Sequence, residues 1–243
     1  MLRVFRPIPA ESIKLIVFDL DGTLIDSAQD LCNSVNAMLE HCGCDPLPDK
    51  QIATYIGDGA VMLVRRAIAA RNGAEPDQKF LDDAYAFFLD YYREHKLDFT
   101  YAYPGVLEAL RALEAAPDGR RTMAVLTNKP VRPARAICEG LGLAKFFLSI
   151  YGGNSFATKK PDPEGLRMLM AEANARPEET VLIRDSEVDV MTARNAGAWS
   201  VGCTFGLAPQ TLDAAAPDVL VDSPSDWTSL LLPEKIDAGQ QKI

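Results

Sequence analysis

From Tyr103 to Ser223 the 243-residue chain alternates between short apolar runs and amphipathic segments, and no other feature restricts its fold as much. "TMAVLTN", "KFFLSIYGG", "TVLIRDS", "WSVGCTF" and "DVLVDS" read as buried strands, separated by segments such as "VLEALRALEAA" and "PEGLRMLMAEAN". Such alternation predicts βαβ units and a doubly wound parallel sheet, because a parallel crossover needs a long connection and a helix on the sheet face supplies it. One more strand stands far upstream. Ile13 to Phe18 is apolar apart from Lys14 and fits a strand buried on both faces.

The stretch between has helical spacing and no convincing strand. Leu31, Val35, Met38 and Leu39 follow a helical period. "PDKQIATYIGDG" reads as a short helix with Asp49 as N-cap and a stop at Gly57. "AVMLVRRAIAARNG" reads as another, ended by Asn72-Gly73, and "DQKFLDDAYAFFLDYYREHKL" as a longer one with Phe80, Ala84, Phe88 and Tyr91 or Tyr92 on its apolar side. The expected organisation is an α/β core, residues 1–26 and 103–243, interrupted by an all-helical insert, residues 27–102. The tail "PEKIDAGQQKI" is polar and expected to fray.

Totals narrow the functional classes. With 25 Lys and Arg against 34 Asp and Glu, the net charge of −9 disfavours nucleic acid or an anionic membrane as partner. No apolar stretch approaches the length of a transmembrane helix, and "MLRVFRPIPAES" lacks the apolar core of a secretory signal. Cys32, Cys42, Cys44, Cys138 and Cys203 are scattered and odd in number, which fits free thiols in the cytoplasm. Cys42-Gly-Cys44 lacks the second ligand pair of a zinc site.

The chemistry sits at strand ends, where open α/β sheets bind ligands. The first strand ends in "DLDG", which puts Asp19 and Asp21 on one side of an extended chain, roughly 6–7 Å apart. Two like charges there call for a compensating cation. "MAVLTNKP" ends in Thr127-Asn128, a hydroxyl and an amide; "TVLIRDSEVD" ends in Asp185, with Asp189 four residues on. "TKKPDPEGL" supplies Lys160 ahead of a helix, with Asp162 as N-cap and Pro163 at the first helical position. Carboxylates in oxygen-rich surroundings suit Mg²⁺, and a lysine, donors and a divalent ion together suit a phosphoryl group.

"DLDGTLIDS", "LTNKP", "KKPDP" and "RDSEVD", in this order, resemble the four motifs of the haloacid dehalogenase superfamily, and the insert resembles its C1-type cap. Within it the chain is most similar to phosphoglycolate phosphatases, through "YIGDGAVMLVRRA", "YPGVLEALRAL" and "PDVLVDSPSDW". The resemblance implies an Mg²⁺-dependent phosphatase of small phosphomonoesters, monomeric or homodimeric. Asp19 would be the nucleophile and Asp21 the general acid and base, helped by the neighbouring charge of Asp19. Thr127, Asn128 and Lys160 would bind the phosphoryl group. Asp19, the Asp21 carbonyl and Asp185 would hold the metal, with Asp189 steadying the ligand shell. Gly22 would let backbone amides face the phosphate, and "IGDG" with Arg65 or Arg66 would reach the substrate from the cap. Related sugar-phosphate or pyrophosphate phosphatases, phosphoglucomutase-like transfer and a non-catalytic binding protein remain as alternatives. Asp21 argues against a dehalogenase. Arg184 stands where the resembling motif usually carries glycine; strand alternation points it away from Asp185, under a loop.

Overall fold

The computed structural model describes residues 2–116 and 121–232, so the expected fraying of the tail lies outside the described residues. In chain order the first half contains β1 (Arg3–Val4), β2 (Leu15–Phe18), β3 (Ile25–Asp26), α1 (Ala28–His41), α2 (Asp49–Ala53), α3 (Ala60–Asn72), α4 (Gln78–His95) and β4 (Tyr101–Ala102). There follow α5 (Val106–Glu114), β5 (Thr122–Leu126), α6 (Val131–Gly140), β6 (Ile150–Tyr151), α7 (Glu164–Glu172), β7 (Thr180–Arg184), α8 (Glu187–Ala196), β8 (Trp199–Cys203), α9 (Leu212–Ala215), β9 (Val219–Val221) and α10 (Ser225–Leu231).

Seven strands form one sheet in the order β1-β9-β8-β7-β2-β5-β6, parallel except for β1 against β9. The chain leaves β2 for β5 and β6 on one side, then returns for β7, β8 and β9 on the other. The reversal puts a topological switch point beside β2, where ligands bind in such sheets. Every residue of β2 and β7 is buried, as a strand covered on both faces requires. Ile16, Phe18 and Ile183 face one apolar layer; Leu15, Val17 and Leu182 face the other, under α7 and α8. Lys14 lies just before β2 and pairs with Glu179 at 2.9 Å, so its charge never enters the sheet.

The register levels the strand ends. Phe18 lies opposite both Val125 and Ile183, and the Asp19 N–H donates to the Ile183 carbonyl at 3.0 Å. Residues just past β2, β5 and β7 therefore emerge in one row.

The four helices α1–α4 fall between the strands of a separate two-stranded ribbon, in which Ile25 pairs with Ala102 and Asp26 with Tyr101. The buried Asp30 carboxylate ties the ends further, accepting from Phe99 N–H, Thr100 N–H and the Thr100 hydroxyl at 2.7–3.1 Å. Leu31, Val35, Met38 and Leu39 are buried, and α4 turns Leu81, Ala84, Phe88 and Tyr92 inward. Tyr92 rather than Tyr91 is the inward tyrosine, and Leu81 takes the place expected of Phe80. Asp77 caps α4 by accepting from Phe80 N–H, and Gly73 ends α3 in the left-handed conformation.

Other boundaries move. Asp49 is the first residue of α2 rather than its cap, and α2 ends at Ala53, short of Gly57. Pro163, not Asp162, caps α7; Asp162 instead accepts from Glu164 N–H at 2.9 Å. The strand expected over "KFFLSIYGG" shrinks to two residues because Ala144–Phe146 forms a 3-10 turn. Among the described residues no helix is long and apolar enough to cross a membrane.

Candidate active site

The row of strand ends gathers Asp19, Asp21, Thr127, Asn128 and Asp185 around one cavity, with Lys160 and Asp189 directly behind. Asp19 is buried, and its Oδ1 accepts from Leu20 N–H at 2.7 Å and pairs with Lys160 Nζ at 2.9 Å. The same ammonium reaches Asp189 Oδ1 at 2.5 Å and donates to the Leu126 carbonyl at 2.9 Å. Two carboxylates and a backbone carbonyl thus surround the ammonium and fix its position, the Asp189 contact being an ion pair without a hydrogen bond. Burial lowers the Lys160 pKa, with the Asp19 carboxylate opposing. Asp189 is held in turn by the Ser186 hydroxyl at 2.7 Å.

Asp185 accepts from Leu207 N–H and Ala208 N–H, both on Oδ2. Burial, then the charge of Asp19, raises its pKa to about 7. The chain approaches it closely at Gly22, where φ is +79° and a Cβ would stand 2.0 Å from Asp185 Oδ2.

Asp21 has a partner that its sequence context does not announce: Lys129, whose Nζ lies 2.9 and 3.1 Å from the two Asp21 oxygens; the Ser27 hydroxyl donates to Asp21 as well. Lys129 is buried, and its ammonium sits 4.8 Å from the centroid of the Tyr92 ring on α4. Burial opposes its charge, yet the Asp21 carboxylate and Tyr92 hold it above the usual lysine range. Sequence reasoning stopped one residue short of Lys129. The signal was present, since the lysine follows Thr127-Asn128 in the same strand-end loop.

Asn128 Nδ2 donates to the Gly57 carbonyl at 3.2 Å and the Lys160 carbonyl at 3.3 Å, joining the insert to the core. Ile56, Gly57 and Gly59 line the cavity, while Asp58 turns its carbonyl to Lys159 Nζ. Neither Arg65 nor Arg66 lines it. Arg65 pairs with Glu75, and Arg66 with Asp58 and the Tyr55 carbonyl.

Arg184 is fully buried on the α7/α8 face of the sheet. Its Nη1 stands 3.9 Å from Asp189 Oδ2, and none of its three nitrogens has a hydrogen-bond partner. Burial pulls its pKa down to about 9. A buried guanidinium without hydrogen bonds is expensive, and an apolar side chain of similar length often does better by about 1–4 kcal/mol. Arg184→Met should therefore match or exceed the wild-type melting temperature. Arg184→Gly should lose about 2–4 kcal/mol through the hole it leaves. Denaturant titrations of both variants decide the matter; a Met variant as unstable as the Gly variant would show that the charge on Asp189, not the volume, is what counts.

The donor set suits a hard cation. Asp19 and Asp185 are buried carboxylates close enough for one to raise the pKa of the other, and a divalent ion between them would relieve that repulsion. Among the described residues no three Asp, Glu, His or Cys side chains form a metal-binding group by themselves. A cation here would have to draw further oxygens from backbone, water or substrate, as Mg²⁺ commonly does.

The model of the haloacid dehalogenase-like hydrolases matches residues 16–203. The chain belongs to that family. It is 38% identical over 219 residues to the phosphoglycolate phosphatase of Chromobacterium violaceum, covering 90% of this chain and 96% of that one. It is 37% identical over 229 residues to that of Neisseria meningitidis, covering 93% and 96%. A crystal structure of a predicted phosphoglycolate phosphatase from Haemophilus somnus superposes with a TM-score of 0.82 at 32% identity, covering 88% of this chain and 96% of that one. With these relatives and this fold, the chain is a phosphatase, a hydrolase of phosphate monoesters.

Proposed function

We propose that the protein is an Mg²⁺-dependent phosphatase of small phosphorylated carboxylates, 2-phosphoglycolate foremost, working through an aspartyl-phosphate on Asp19. The observation that carries this reading is the Asp19–Lys160–Asp189 arrangement at the sheet's switch point. It holds one oxygen of a buried carboxylate and leaves the other to attack.

In the first half-reaction an Asp19 oxygen forms the bond to phosphorus while the bond to the ester oxygen breaks, and Asp21 gives its proton to the departing alkoxide. In the second, Asp21 takes a proton from water as that water's oxygen attacks phosphorus, releasing phosphate and restoring Asp19. Lys160 and the Thr127 hydroxyl, with the Asn128 N–H, balance charge on the phosphoryl oxygens. Asp19, the Asp21 carbonyl and Asp185 would hold Mg²⁺, which supplies charge neutralisation at the transferring group. The insert, residues 27–102, acts as a cap that excludes water from the aspartyl-phosphate except during hydrolysis.

Phosphate release from a panel of small phosphoesters, with Mg²⁺ and with a chelator, tests the reading. 2-Phosphoglycolate should exceed ethyl phosphate in kcat/KM by about a hundredfold or more, the discrimination that pairing a substrate charge in a buried site supplies. Chelation should abolish release. Undiminished turnover without divalent ions would refute the metal assignment, and no release from any ester would refute the activity.

A further inference from the structure

We propose that Lys129 is the residue that recognises the second anionic group of the substrate, exchanging its Asp21 partner for a substrate carboxylate on binding; this rests on the phosphatase reading above. Among the described residues lining the cavity, Lys129 is the only cation. Lys160 does not line the cavity and is already engaged by Asp19, Asp189 and the Leu126 carbonyl behind it. Arg65 and Arg66 pair elsewhere. The remaining walls on the insert side are apolar, among them Ile56, Leu63, Phe88 and Leu89, and the enclosed space is small, about 50 Å³. A phosphoester that extends past the Asp19–Thr127 end therefore meets apolar surface and a single positive charge. A short chain ending in a carboxylate matches both.

The geometry also says how the exchange proceeds. Lys129 is held from below by the Tyr92 ring, contributed by α4, and from the side by Asp21. A cation over an aromatic face keeps its position while its anionic partner changes, because the ring interaction has no single acceptor atom. A carboxylate arriving from the substrate can then replace Asp21 at the ammonium without moving Lys129 out of the cavity. Asp21, relieved of that partner, is left to handle the proton of the alkoxide. An ester without a carboxylate leaves the Lys129–Asp21 pair intact. Recognition and release of the acid are the same event.

The experiment is the ratio of kcat/KM for 2-phosphoglycolate to that for ethyl phosphate, which has the same two carbons and no carboxylate. Measured with full-length Lys129→Met, the ratio should fall by about a hundredfold, the worth of a lost charge-assisted hydrogen bond in a buried site. Lys129→Arg should restore part of it. A ratio unchanged in the Met variant, whatever the absolute rates, would overturn the proposal and leave Lys129 as a partner of Asp21 alone. The unaltered protein provides a second measurement independent of folding: glycolate should inhibit ethyl phosphate hydrolysis competitively, and ethylene glycol should not. Equal behaviour of the two would also overturn it. If the unaltered protein releases phosphate from neither ester, it is the phosphatase reading that has failed; turnover of both with an insensitive ratio removes only the role of Lys129.

Discussion

Asp19→Asn should abolish turnover while leaving the fold in place. The substitution keeps the volume, and the amide oxygen can still accept from Leu20 N–H and Lys160 where Oδ1 does now. It removes the proposed nucleophile. Replacing the nucleophile of a covalent mechanism lowers kcat by about 10⁴–10⁶-fold, and compensating neighbours do not recover it. Stability should change in the opposite sense, because the buried Asp19, Asp185 and Asp189 and the half-buried Asp21 share the site with three buried cations, Lys129, Lys160 and Arg184. Removing one negative charge also relieves Asp185, whose pKa Asp19 helps to raise. The variant is expected to melt no lower than wild type and to bind 2-phosphoglycolate in a calorimeter. Activity within about tenfold of wild type would exclude Asp19 as the nucleophile, as would isotopic label from the substrate on any other residue.

Gly22→Ala should also cost activity, for a steric reason. The added Cβ would lie 2.0 Å from Asp185 Oδ2 and 2.9 Å from Leu207 N, so the Asp185 carboxylate must leave the two backbone amides that hold it. Nor can the neighbouring loop yield easily. Gly206 packs on the same spot, where a Cβ of its own would stand 2.3 Å from the Gly22 carbonyl. Displacing a site carboxylate by about 1 Å commonly lowers rate about a hundredfold, and the left-handed backbone adds about 1–2 kcal/mol of strain. Gly43→Ala separates the two effects. Gly43 also has positive φ, at +74°, but nothing lies within 4 Å of its Cβ position. That variant should show the strain and keep full activity. Equal activity losses in the two variants would rule out a direct clash with Asp185 as the cause.

The parallel sheet was legible because its central strands are long enough to show their burial. β2 and β7 run unbroken from Leu15 to Phe18 and from Thr180 to Arg184, and every residue in them is inside. β1, β3 and β4 have two residues each, too few to show a period, and they were missed. Asp19, Asp21, Thr127, Asn128 and Asp185 could be placed together from sequence because each follows a strand end, and strand ends meet in this fold, whereas Lys160, in the loop ahead of α7, joined them through its motif. Lys129 and Arg184 carry the parts that could not be read. Lys129 depends on a ring from α4, which is distant in sequence. Alternation gave the side of the sheet on which Arg184 lies, but not that α8 would bring Asp189 to within 3.9 Å of it.

The ribbon of Ile25–Asp26 and Tyr101–Ala102 has a consequence for how such an enzyme changes over time. Both passages of the chain into and out of the helices run through four paired residues, side by side, with strand neighbours only about 5 Å apart. A splice at that joint preserves the order of the seven-stranded sheet, since even a two-residue turn can link antiparallel neighbours at that spacing. Phe88 and Tyr92 would travel with the spliced segment, whereas Lys129, Asp19 and Asp21 would stay. The apolar walls of the cavity can thus be inherited as a cassette while Lys129 and the strand-end carboxylates are kept, so the shape offered to a substrate can change without the core changing.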